Sequence, residues 1–136
     1  MSAVQELIKK EADGTISFGN YELSQKSKAS GFEVNGDVYK VKTFSEITKL
    51  ERNEMFVYES VPGTAVSHFF AQADCVEFEV EGSTDAQVTV EMEADTEYTI
   101  EINGESTGTM KTNLGGKLSM NVELEPGKKV AVRIVK

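Results

Sequence analysis

At 136 residues, with 39% hydrophobic residues, a net charge of −9 and one cysteine, the chain is sized for one domain that needs neither a metal nor an intrachain disulfide. The negative balance argues against nucleic acid and anionic membranes as partners, because both require clustered Lys and Arg. Nowhere do roughly 18 apolar residues run together and the start carries no signal-peptide core, so a cytoplasmic location is expected, with secretion after removal of a leader as the alternative.

The chain opens on an amphipathic stretch. Ser2 stands where an N-cap would, Gln5 occupies the capping-box position, and Val4, Leu7, Ile8 and Ala12 make an apolar stripe that ends at Asp13-Gly14. This pattern predicts one short N-terminal helix. Ile16 and Phe18 then alternate as a strand, and a slip at Gly19-Asn20 predicts a bulge or tight bend before Tyr21 and Leu23. Residues 26–31 read as a polar connector. Residues 32–41 carry a hairpin signal in Asn35-Gly36, since both residues tolerate the positive φ of a type I′ turn, and Asn103-Gly104 repeats the device.

Residues 45–51 predict an irregular or short helical crossing, and residues 55–60 a strand covered on both faces. Val61-Pro62-Gly63-Thr64 has the Pro and Gly spacing of a type II turn. Residues 66–71 and 76–81 follow as strands. Four further runs, residues 87–93, 97–102, 117–124 and 129–135, alternate apolar with polar side chains, which places one face of each strand inside and the other in water. Ten or eleven strands with short turns predict an all-β fold, an antiparallel β-sandwich of jelly-roll or immunoglobulin-like type with the N-terminal helix appended. A single sandwich over residues 1–136 is the expectation. Two lobes, 1–82 and 83–136, are the alternative, because the aromatic residues thin out after Phe78.

Ten acidic residues and no Lys or Arg lie between Glu77 and Glu105. They read as a solvated face; a calcium site would need a Gly-turned Asp/Asn loop that this stretch lacks, so no metal and no cofactor is expected. Cys75, at the start of a strand, reads as a small hydrophobe. Adjacent strand residues point to opposite faces, so Ser67 and His68 cannot act as nucleophile and base for one another. Residues 112–117 lack the phosphate-loop spacing and read as a hairpin turn. Acid catalysis requires a carboxyl in an apolar setting, and Glu59, beside Tyr58 in the run 55–60, is the carboxyl that comes nearest to one. Glu59, Tyr58 and His68 are thus the candidate catalytic residues.

The stretches 11–23, 39–51, 57–64 and 110–118 resemble a family of short bacterial proteins, common in gut anaerobes, that often carry the label endosialidase. The resemblance implies a bacterial domain of unassigned function. Sialidases grip the substrate carboxylate with three arginines, whereas this chain has only Arg52 and Arg133, so no catalytic residue carries over. Residues 98–104, followed by Gly108, Thr112 and Gly116-Lys117-Leu118, also resemble β-sandwich modules appended to polysaccharide-degrading enzymes.

The reading that follows is a non-catalytic binding or assembly module that docks on a protein partner or on another copy of itself as a homo-oligomer. A carbohydrate-binding module, stacking sugars on Tyr21, Tyr39, Tyr58 or Tyr98, and a glycan hydrolase of the kind the label suggests are the alternatives.

Overall fold

The computed structural model describes residues 7–72 and 74–136 and is all-β. Its strands, in chain order, are β1 Ile8–Lys10, β2 Ile16–Phe18, β3 Ser27–Val34, β4 Asp37–Phe44, β5 Ile47–Arg52, β6 Met55–Val61 and β7 Ala65–Gln72. These are followed by β8 Cys75–Glu81, β9 Ala86–Glu91, β10 Glu97–Ile102, β11 Glu105–Lys111, β12 Lys117–Val122 and β13 Val130–Val135.

Two antiparallel sheets stack as a sandwich. One has seven strands in the order β1-β2-β7-β8-β13-β10-β11, the other six in the order β12-β9-β6-β5-β4-β3. In each sheet the strands from before residue 82 form one block and those from after it another, and the blocks join where β8 pairs with β13 and where β6 pairs with β9. Period-two alternation fills the space between the sheets. In β13, Val130, Val132 and Ile134 are buried while Ala131 and Arg133 face water. The largest core group is aromatic. The Tyr58 ring of the six-stranded sheet meets Phe18 and Phe78 of the other sheet edge-on, with centroids 5.3 and 5.6 Å apart, the geometry that ring quadrupoles favour.

A second, polar layer lies in the interior beside these rings. Thr43, Thr48, Ser60 and Thr64 are fully buried, and their hydroxyls satisfy one another. The Thr43 and Thr48 oxygens lie 2.8 Å apart, and Thr48 donates to the Thr64 carbonyl at 2.8 Å. Thr64 Oγ1 is shared by Tyr58 at 2.9 Å and Ser60 at 2.8 Å. Buried hydroxyls are tolerated only when paired in this way.

The two Asn-Gly hairpins form as expected, with φ of 52° and 86° at Asn35-Gly36 and 52° and 84° at Asn103-Gly104. Other expectations are corrected. In place of the C-terminal part of the helix, Ile8 to Lys10 pair antiparallel with β2; the remainder, residues 1–6, lies outside the described residues. A three-residue strand is too short to show period two, so its apolar residues fit a helical stripe equally well.

Residues 27–31 are not a connector but the start of β3, where the small side chain of Ala29 is the apolar group on the inner face. Residues 47–51 belong to strand β5, whose inward positions are Leu50 and the hydroxyl of Thr48. The chain after Phe18 leaves the sheet, so Tyr21 and Leu23 lie in a turn region and not in a strand. A type II turn needs positive φ at Gly63, which Gly63 does not have; the Val61-Pro62 bond is cis. Residues 112–116 are no hairpin, because they carry the chain from β11 in one sheet to β12 in the other.

Candidate functional site

The three candidate catalytic residues are not brought together. Tyr58 is fully buried, with burial pushing its phenol well above the ordinary tyrosine range. Glu59, next along β6, points out of the opposite face of the same sheet, where it stands across from Lys49. His68 lies on β7 in the other sheet.

His68 occupies a bulge between Ser67 and Phe70, with φ of 52°. The extra residue lets Val66 and Phe69 both face the core and turns the imidazole outward. There its Nδ1 lies 3.1 Å from Asp13 Oδ2 and 3.3 Å from Thr15 Oγ1. Thr15 donates to Asp13 through its hydroxyl at 2.5 Å and its backbone N–H at 3.0 Å; these bonds, with a smaller contribution from His68, hold the Asp13 carboxyl below its usual value. Sequence spacing gives no hint of this cluster, since 55 residues separate Asp13 from His68. It is not a catalytic relay. Carboxylate and hydroxyl both address Nδ1, whereas a nucleophile activated by imidazole must face the nitrogen opposite the carboxylate.

Half of the acidic stretch is paired in space with Lys or Arg. Arg133 lies 3.4 Å from Glu77 and 3.5 Å from Glu101, Lys117 lies 3.4 Å from Glu91, Lys136 lies 3.3 Å from Glu93, and Lys111 lies 3.2 Å from Asp95. Glu81, expected on a solvated face, is buried, where it accepts hydrogen bonds from the Tyr21 hydroxyl and the Gly127 N–H. Cys75 is half-buried, and desolvation raises its thiol pKa, so it is not an activated nucleophile.

The unusual surface is the outer face of the six-stranded sheet. Register places Lys28 opposite Lys42, Lys42 opposite Lys49, Lys49 opposite Glu59, Glu59 opposite Thr89, and Thr89 opposite Ser119. One row therefore crosses all six strands, cationic at one end and hydroxylic at the other, where the Thr89 and Ser119 oxygens lie 2.8 Å apart. Lys40 joins the face two residues before Lys42, and Lys26 two residues before Lys28.

Like charges directly across a ladder repel. Lys26, together with partial desolvation and then Lys28, Lys49 and Lys40, depresses the pKa of Lys42. Lys49 has Glu51 at 3.7 Å, but neither Lys28 nor Lys42 forms an ion pair among the described residues. The overall charge of −9 thus conceals a local cationic face. The signal was present in Lys40-Val41-Lys42, which puts two lysines on one side of a strand, and in Lys26-Ser27-Lys28, where β3 begins. What joins them into a row is the register of β3, β4 and β5.

Of the tyrosines named for sugar stacking, Tyr58 and Tyr98 are fully buried and Tyr39 nearly so, which leaves Tyr21. Among the described residues no helix is long and apolar enough to cross a membrane. Comparison with protein-family models, curated proteins and solved structures finds no match to this chain.

Proposed function

We propose that this chain is a non-catalytic binding module that takes up an anionic ligand on the outer face of its six-stranded sheet. The observation that carries the reading is the unbroken cross-strand row Lys28, Lys42 and Lys49, with Lys40 and Lys26 beside it. In the free protein this arrangement costs repulsion, and a bound polyanion would relieve it. The separation of Tyr58, Glu59 and His68 favours binding over catalysis.

A carbohydrate as the ligand is the second reading, and the far end of the row favours it. Glu59, Thr89 and Ser119 offer hydrogen-bond partners for sugar hydroxyls next to cations suited to carboxylates. The test is calorimetric titration with polygalacturonate and with polyglutamate, at low and raised salt. Binding that falls with salt and is lost when Lys28, Lys42 and Lys49 are replaced by Glu supports the reading. Equal affinity of the wild type and the triple variant for both polymers refutes it.

A further inference from the structure

The seven-stranded sheet extends beyond its partner at one end. All seven residues of β11 are exposed, although Met110 and Gly108 stand opposite the core residues Tyr98 and Ile100 and so lie on the inner side of the sheet. No strand of the other sheet lies beneath them among the described residues, because β12 is that sheet's edge. The uncovered space is a groove of about 610 Å³ whose apolar walls are Ile100, Ile102, Met110, Met120, Val122 and Val130.

The edges of a sheet are normally blunted against further pairing. Here three are: β1 has three residues, β3 is bulged after Ala29 and carries Lys28, and β11 is itself bulged at Thr107 and contains Gly108 at φ 121°. The fourth is not. The β12 strand pairs with β9 through six residues in unbroken register, contains no Pro or Gly, turns its one lysine, Lys117, back onto Glu91 of β9, and has no partner strand on its other side among the described residues.

We propose that this groove receives a single extended segment of a partner protein, which adds to the free edge of β12 as a seventh strand. A strand placed about 4.8 Å beyond β12 would lie beneath β11, with its inward side chains against Met110, whose flexible thioether adapts to differing shapes. A second copy does not fit this place by two-fold edge pairing. Its own overhanging β11, and β10 beside it, would occupy the space where the first copy's β11 stands. The segment therefore carries apolar residues at alternate positions. Neutral or basic residues alternate with them, because Glu123 lines the groove and β9 and β10 belong to the stretch without Lys or Arg. The groove meets that cross-strand row only at Ser119, lies away from its lysines, and does not depend on the function proposed for them.

The test is an NMR titration of the labelled full chain with a short synthetic peptide of alternating Val and Thr bearing Lys at both ends. The expected result is saturable shifts at the Ser119, Met120 and Asn121 amides and the Met110 methyl, with β12 amide exchange slowed ~10-fold or more. Met110 is exposed, so Met110→Lys should keep the fold and weaken binding ~10-fold or more. The same peptide with Pro at its centre should not bind, since Pro removes a ladder donor. The proposal is overturned if the folded protein shows no change on β12 up to millimolar peptide, or if shifts are confined to the lysine row. It is equally overturned if light scattering finds a dimer that Met110→Lys separates, since the occupant would then be a second copy.

Discussion

Lys42 stands directly between Lys28 and Lys49, facing one across the β3–β4 ladder and the other across the β4–β5 ladder, with no carboxylate paired to it among the described residues. A side chain held among like charges costs the free protein stability.

Lys42→Thr keeps a strand-favouring residue at the position and removes the central charge. The variant should melt at a higher temperature than the wild type at low ionic strength. The difference should shrink as salt is added, because screening relieves the repulsion in the wild type. Binding of polyanions should weaken in the same variant. Scanning calorimetry at two salt concentrations checks the first point, and a variant that melts lower at low salt contradicts it.

Tyr21 donates its hydroxyl to buried Glu81 at 3.1 Å, and desolvation, followed by the Glu81 charge, raises its pKa from 10.0 to about 12. A raised pKa means that the folded state keeps the proton more firmly than the unfolded chain does. The stabilisation is complete below pH 10, and it is lost as pH rises from there through about 12. Glu81→Gln should lower the Tyr21 value without restoring it to 10.0, because desolvation, the larger cause, remains. Phenolate absorbance as a function of pH measures both.

Thr64 Oγ1 serves Tyr58 and Ser60 at once, so Thr64→Val leaves two buried hydroxyls without that partner. The expected cost is about 2–4 kcal/mol in urea unfolding, whereas Tyr58→Phe, after which Thr64 still has Ser60, should cost about 1 kcal/mol. Equal losses would show that the hydroxyls do not act as a network.

A Cβ at Gly63 would lie 1.9 Å from the Phe44 carbonyl oxygen, backbone against backbone. Gly63→Ala should therefore cost at least ~2 kcal/mol or prevent folding. At Gly115 a Cβ meets only the Asn113 side-chain oxygen at 3.4 Å, so Gly115→Ala should stay within ~0.5 kcal/mol of wild type. Denaturant midpoints of the pair separate close approach from ordinary glycine flexibility.

Much of the fold was legible from neighbouring residues alone. The alternation in β9, β10, β12 and β13 and the Asn-Gly pairs at 35–36 and 103–104 report backbone geometry locally, and they establish an antiparallel all-β chain. Misreadings fell where that signal is weak or shared. The inward face of the first half of β3 is marked only by Ala29, that of β5 by a threonine as well as Leu50, and β1 is three residues long. The Asn53-Glu54 turn between β5 and β6 has φ of 52° and 68°, and without a glycine it gave no warning.

By itself, then, the sequence determined that the chain makes short strands with one apolar face, since a side chain's face follows from its parity along its own strand. Only the tertiary structure decided which strands share a sheet and in what register. Those choices created the lysine row, joined Asp13 to His68, closed the hydroxyl network on Thr64 and left β11 overhanging β12. Each of these is a relation between residues on different strands, and cross-strand neighbours are set by long-range packing that no local pattern encodes.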